Sequence, residues 1–277
     1  MGILKKLLYF FILIYGGLTI FLYITQDRWV FWPTHKVSLN PGVTTKVSLS
    51  YSNVSFTTTD NKNIFGWYIP GKHRATLLYM HGSVGNISDP DRLDYIQALH
   101  KLGLDILIFD YRGYGRSQGK PTEEGTYRDA QAAVSYLRNN QGVTPDHLVY
   151  FGRELGCAVA TWLAAEDPPA ALLLDTPFTS MPALAKRTFT FLPIGLIARV
   201  HYNTLVNIRK VTCPVFIAHN PDDRKIPISM GEQVYKAAPD IKEFVKINPT
   251  IRTESGMYGG QAYMDSIDTF LRDKVNL

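Results

Sequence analysis

Cysteine is scarce in this sequence of 277 residues, which holds two examples, Cys157 and Cys213. It contains no C-x-x-C pair and no cluster of cysteine with histidine, so the sequence predicts no metal site. With no disulfide framework to build, we expect both cysteines to be buried free thiols.

Charge is modest, and neither repeats nor low-complexity segments occur. Charged residues make up 19% and apolar residues 45% of the chain, with a net charge of +5 and a pI near 9.0. This mild and dispersed excess argues against nucleic acid as a partner and favours proximity to an anionic lipid surface. No nucleotide-binding motif is present, so no cofactor is expected, and the sequence specifies no oligomeric state.

One long apolar run stands at the N-terminus. Residues 7–24 are uncharged, and about 20 such residues cross a bilayer as a helix. Lys5 and Lys6 precede the run, which places the N-terminus in the cytoplasm by the positive-inside bias. The sequence therefore predicts a single-pass anchor over residues 1–27 with membrane lipid as its partner, and a body over 28–277 on the exocytoplasmic side.

A cleaved signal peptide is the alternative for this run. It would have a shorter apolar core, followed by a small-x-small cleavage site. The residues that follow include Trp29, Phe31 and Trp32, which are typical of an interfacial aromatic belt. The pattern favours a retained anchor.

Beyond the anchor, strand patterns alternate with helix patterns. Two stretches predict an antiparallel pair, and six apolar runs predict parallel strands: 46–60 and 64–70, then 75–81, 105–111, 147–152, 170–176, 214–220 and 243–248. Helices are predicted over 91–102, 122–140, 155–166, 228–238 and 260–272. The alternation predicts an α/β fold with a mostly parallel sheet covered on both faces. Residues 178–210 interrupt this alternation of strands and helices, and we expect them to form a small cap.

Four motifs follow predicted strands in a fixed order. They are His81-Gly82-Ser83, residues 110–117, Gly152-Arg153-Glu154-Leu155-Gly156, and residues 219–227. Together they resemble the α/β-hydrolase superfamily, in particular its single-pass, membrane-anchored serine hydrolases, a group of peptidases and depalmitoylating thioesterases. The resemblance covers about residues 28–273. It implies an α/β-hydrolase fold, a Ser–Asp–His triad and hydrolysis of esters, thioesters or amides.

The chain departs from this family at the nucleophile. The family carries Gly-x-Ser-x-Gly on a strained turn between strand and helix, whereas the turn here has Glu154 in the serine position. The string Gly115-Arg116-Ser117-Gln118-Gly119 also matches the pattern, but no helix begins directly after it. We therefore interpret Ser117 as a loop serine.

The catalytic histidine is also missing. The family's acid position corresponds to Asp223, and its histidine should follow later in the chain. All seven histidines lie at or before residue 219. By spacing from Gly259 and Gly260, Arg252 takes the histidine position, within a residue or two.

These substitutions remove both partners in proton transfer. A carboxylate has no hydroxyl to activate, and an arginine stays protonated near neutral pH. The family's oxyanion hole would be formed by the backbone N–H groups of Ser83 and Leu155. We expect Glu154 to fill that hole and Arg252 to pair with both Glu154 and Asp223, leaving a protein that is inactive by serine chemistry and whose cleft holds an acyl or lipidated ligand.

Three alternatives remain open at this point. Glu154 would act as a nucleophile, as an aspartate does in haloalkane dehalogenases and epoxide hydrolases; Cys157 or Ser83 would replace the serine; or the chain is a variant of an active membrane-associated esterase or thioesterase. A single sequence does not separate a variant from a long-standing pseudoenzyme.

Overall fold

An eight-stranded sheet forms the centre of the molecule in a computed structural model that describes residues 2–42, 48–248, 250 and 259–277. Its strands, numbered along the chain, are β1 (Ser52–Thr57), β2 (Asn63–Ile69), β3 (Thr76–Met80), β4 (Asp105–Phe109), β5 (Leu148–Arg153), β6 (Ala171–Asp175), β7 (Val215–His219) and β8 (Lys242–Lys246). They are ordered β1-β2-β4-β3-β5-β6-β7-β8. The pairs β1–β2 and β2–β4 are antiparallel and the other pairs are parallel. The predicted antiparallel start and parallel remainder are confirmed.

Helices connect these strands. They are α1 (Gly2–Val30), α2 (Pro90–Lys101), α3 (Glu123–Gln141), α4 (Leu155–Glu166), α5 (Met181–Thr188), α6 (Ile194–Ile197), α7 (Thr204–Asn207), α8 (Ile228–Ala237) and α9 (Gly260–Phe270). Short 3-10 turns cover Pro145–His147 and Ile208–Lys210, and a π-helical turn covers Leu271–Val275. Helices α5, α6 and α7 fall between β6 and β7, where the sequence predicts the cap.

The central strands of the sheet are buried on both faces. In β3, Leu78 and Met80 pack with residues of α3, α4 and α8. Leu77 and Tyr79 point the other way and pack with residues of α2 and α9. A strand covered on both sides needs apolar residues at every position, which explains the continuous runs in the sequence. Cys157 and Cys213 are buried free thiols, as expected.

Helix α1 is 29 residues long, has no buried residue, and is long and apolar enough to cross a membrane, a test that a signal sequence also passes. It continues to Val30, three residues beyond the predicted anchor boundary. The chain then pairs in parallel with the loop after β3, where the Trp32 amide donates to the Ser83 carbonyl over 3.0 Å. The segment directly after the apolar helix is thus bonded to the predicted oxyanion turn.

Candidate active site

The turn between β5 and α4 has the geometry of a nucleophile elbow. Glu154 has φ 50° and ψ −110°, and α4 begins at the next residue, Leu155. A non-glycine residue at positive φ is strained, and surrounding contacts must hold it there. The Glu154 amide donates to the Asp175 carbonyl over 3.0 Å. Glu154 thus stands on a strained turn between strand and helix, where the sequence predicts the nucleophile elbow.

Both glycines of the elbow are needed for close packing. A Cβ atom on Gly156 would overlap the Met80 carbonyl oxygen, and one on Gly152 would overlap the Gly156 carbonyl oxygen. The elbow therefore sits directly against the end of β3. Its backbone has the close packing that this turn requires, and its central residue is Glu154.

The Glu154 side chain lies against the predicted oxyanion turn. Its Oε2 atom is 3.3 Å from the position that a Cβ would take on Gly82, so the carboxylate packs over the Gly82 backbone. The same Oε2 accepts a hydrogen bond from the Lys225 ammonium over 3.2 Å. Lys225 was not predicted as a site residue, and it supplies a positive charge at the elbow.

The loop after β7 brings Lys225 to this position. Asp223, the predicted acid, accepts hydrogen bonds from the Lys225 and Ile226 amides at its Oδ1, each over 2.8 Å. This carboxylate thereby holds the turn that carries Lys225. Arg252, the predicted partner of both acids, lies outside the described residues.

A cavity of about 360 Å³ opens beside Glu154. Ser83 and Leu155, the predicted oxyanion residues, both line it, together with the cap residues Met181 and Leu184. Trp29, Val30 and Trp32 from the end of α1 and the segment after it line the same cavity. The described part of the chain thus brings Glu154, Ser83 and Leu155 together beneath the cap and beside the apolar helix.

A second cavity of about 510 Å³ lies between α1 and the cap. It shares Trp29, Val30, Met181, Leu184 and Lys225 with the cavity beside Glu154. Its remaining walls are mainly apolar side chains of α1 and the cap, and its basic residues are Arg187, Arg224 and the shared Lys225. The two cavities are adjacent and together are called the cleft here; most of their lining is apolar, and basic residues stand at its margin.

All seven histidines fall within the described residues, and two lie near this edge of the sheet. His81 Nδ1 is 2.6 Å from the Gly82 carbonyl oxygen, and His219 Nε2 is 2.8 Å from the Ile226 carbonyl oxygen. Burial, reinforced by the nearby Arg92 charge, lowers the pKa of His81 well below its usual value, so this ring stays neutral. None of the described residues that line the cavities bordering Glu154 is a histidine.

Ser117 and Cys157 both have structural contacts. Ser117 Oγ donates to the Asp110 carbonyl over 2.6 Å and accepts from the Phe65 amide over 2.9 Å, in a loop that precedes α3. Cys157 is buried in the first turn of α4, and burial raises the pKa of its thiol well above the usual value. The interpretation of Ser117 as a loop serine is confirmed, and the thiol is held in its unreactive, protonated form.

Comparisons with known proteins agree with this architecture. Residues 75–193 match the family described as alpha/beta hydrolase fold. An uncharacterized protein of Mycobacterium tuberculosis H37Rv, Rv2307c, is 33% identical over 269 residues, covering 96% of this chain and 94% of that protein.

Two further relatives carry functional names. The lysophosphatidylserine lipase ABHD12 of Macaca fascicularis is 31% identical over 199 residues, covering 64% of this chain and 49% of the lipase. The chain thus matches about half of that protein's length. The solved structure of the Pyrococcus furiosus esterase Pf2001 superposes with a TM-score of 0.72 at 22% identity, covering 88% of this chain and 99% of the esterase. At that identity the likeness concerns the fold.

Proposed function

This chain belongs to the α/β-hydrolase superfamily, and from that premise we propose that it is a membrane-attached member that has lost serine hydrolysis and binds an acyl or lipidated ligand in the cleft beneath its cap. The observation that carries the proposal is the state of the elbow. A carboxylate stands at its apex, lies against Gly82 and is paired with Lys225.

The chemistry follows from these side chains. Serine hydrolysis needs a hydroxyl that loses its proton to a base poised near neutral pH. Glu154 offers no such hydroxyl, and an arginine at the histidine position, as proposed for Arg252, does not accept a proton near pH 7. An anion that already faces the oxyanion turn competes with the developing oxyanion of any substrate.

The cleft suits a ligand with an alkyl chain. Its two adjacent cavities, about 360 and 510 Å³, fall within the range of small-molecule sites. Trp29 and Val30 contribute to both, so the cleft begins where α1 ends. We propose that α1 is retained as an anchor, with Lys5 and Lys6 on the cytoplasmic side and the cleft at the opposite membrane surface.

An active hydrolase is the second candidate, because the strained backbone of the elbow is retained and the named relatives are a lipase and an esterase. The two functions are separated by turnover of p-nitrophenyl esters. The full chain in detergent should give no turnover above buffer, whereas Glu154→Ser combined with Arg252→His should gain it. Turnover by the unaltered chain would favour the active hydrolase. Turnover gained by Glu154→Ser alone would show that Arg252 does not block hydrolysis.

Ligand binding is tested separately with a dansylated fatty acid. We expect saturable binding to the full chain and at least about tenfold weaker binding to Met181→Trp, because Met181 lines both cavities. Ala183 lies on the same helix and lines neither cavity, so Ala183→Trp is the matched control and should bind as the parent does. Equal binding by both variants would contradict a ligand site in this cleft.

A further inference from the structure

One stretch of the cap beside α1 contains no charged residue. Residues 188–198, called here the insertion segment, run Thr-Phe-Thr-Phe-Leu-Pro-Ile-Gly-Leu-Ile-Ala. Lys186 and Arg187 stand directly before the segment, and Arg199 stands directly after it. An uncharged apolar stretch bounded by basic residues is typical of a chain that enters a lipid leaflet and returns to its headgroups.

The insertion segment is bonded to α1 at two different heights. The Tyr15 hydroxyl donates to the Phe191 carbonyl over 2.9 Å, and the Gln26 side-chain amide donates to the Ile197 carbonyl over 2.6 Å. Tyr15 precedes Gln26 by eleven residues, which corresponds to about 16 Å along a helix. Half the hydrocarbon thickness of a bilayer is about 15 Å. If the apolar run of α1 spans the bilayer, Phe191 lies near its middle.

Further polar contacts between α1 and the cap lie near Gln26, at the C-terminal end of the helix. Gln26 Oε1 accepts from the Arg199 amide over 2.7 Å, and the Arg199 guanidinium lies 3.7 Å from the Asp27 carboxylate. The same guanidinium stands 5.1 Å from the centre of the Tyr23 ring. Charged and aromatic groups are thus gathered at the level expected for lipid headgroups, and apolar groups lie below them.

Two large apolar side chains of the insertion segment point away from the protein. Leu196 is 88% exposed and Phe191 is 61% exposed. From the height of the segment along α1 and from these side chains, we propose that residues 188–198 are embedded in the membrane leaflet next to the body, with acyl chains as their partner. The proposal rests on the retained anchor of the proposed function.

The backbone of the insertion segment is suited to a lipid environment. Irregular backbone inside a bilayer must satisfy its own polar groups. Many amides of the segment donate to nearby carbonyls, among them those of Phe189, Leu192, Ile194, Leu196, Ile197 and Ala198. The Phe191 and Ile197 carbonyls, in turn, accept from α1.

Embedding would connect the leaflet to the cleft. Leu192, Ile194 and Ile197 of the insertion segment line the 510 Å³ cavity opposite Leu22 of α1. That cavity borders the cavity beside Glu154, with which it shares five lining residues. A single-chain lipid would then enter the cleft sideways from the leaflet without crossing water.

Spin-label accessibility tests this proposal on the full chain in phosphatidylcholine nanodiscs. Both native cysteines are buried, so an added exposed cysteine takes the label selectively. Phe191→Cys is the test position, because Phe191 is 61% exposed and its carbonyl is bonded to Tyr15. Leu13→Cys, on α1 two residues before Tyr15 and 74% exposed, is the reference for lipid at a similar depth. Asn140→Cys is the reference for water. Asn140 lies near the end of α3, about 26 Å along the helix from Glu123. The Glu123 carboxylate accepts a hydrogen bond from the His201 amide at the base of the cap.

We expect the ratio of oxygen to nickel-chelate accessibility at Phe191→Cys to equal the value at Leu13→Cys. A ratio equal to that at Asn140→Cys, with Leu13→Cys still in lipid, would overturn the insertion of the cap and leave the anchor intact. A water-like ratio at Leu13→Cys would overturn the anchor and the insertion together.

Discussion

Replacing Glu154 by glycine and by alanine tests whether the elbow is held in its strained conformation. Both changes remove the carboxylate and its pairing with Lys225, so they differ only in the Cβ atom. A residue other than glycine at φ 50° and ψ −110° costs on the order of 1–3 kcal/mol. Glycine loses about 0.5–1 kcal/mol more backbone entropy on folding. We therefore expect Glu154→Gly to be more stable than Glu154→Ala by about 0.5–2 kcal/mol.

A matched pair at an ordinary helical position should show the opposite order. Gln131 is exposed on α3, where Gln131→Gly should be less stable than Gln131→Ala by about 1 kcal/mol. Urea unfolding of the four full-length variants in one detergent gives both differences. If alanine matches or exceeds glycine at position 154 while the Gln131 pair behaves as expected, the turn is not strained and the reasoning about the elbow fails.

Three further outcomes are expected. Lys225→Met should change the free energy of unfolding by less than about 1 kcal/mol, because the Lys225 side chain in its pair with Glu154 is 60% exposed; a larger loss would mean that the pair is shielded. Ser117→Ala should cost about 1–3 kcal/mol in urea unfolding, because it removes the hydrogen bond to the Asp110 carbonyl and leaves the partly buried Phe65 amide without its acceptor; a neutral change would contradict the structural role of Ser117. Burial raises the pKa of Asp110 to about 7 from an unfolded value of 3.8, so its stabilising contribution is full below pH 4 and is lost as the pH rises through 7. Unfolding at pH 5 and pH 8 should show a smaller fall for Asp110→Asn than for the parent, and an equal fall would refute this assignment.

The elements that the sequence predicts well are those with a local pattern. β3 and β5 are continuous apolar runs because both sheet faces are covered, and such runs are visible without a structure. The elbow was located from a strand, two glycines four residues apart and a helix that begins at once. Each of these signals lies within about ten residues of the chain.

Contacts between distant segments were not predictable in the same way. Lys225 meets Glu154 across 71 residues, through a long side chain whose direction depends on the turn held by Asp223. Hydropathy marked the part of α1 suited to a bilayer but not its last turn, which continues to Val30 because backbone hydrogen bonding does not depend on polarity. The bonds from α1 to the cap likewise have no sequence signature.

The most direct test of the central claim is labelling of the full chain, in its membrane, with a fluorophosphonate that reacts with activated serines. With a carboxylate at the elbow, we predict no adduct under conditions that label an active serine hydrolase completely. An adduct mapped by mass spectrometry to Ser83 or Ser117 would contradict the claim, because it would mean that another hydroxyl has taken over the chemistry of this cleft.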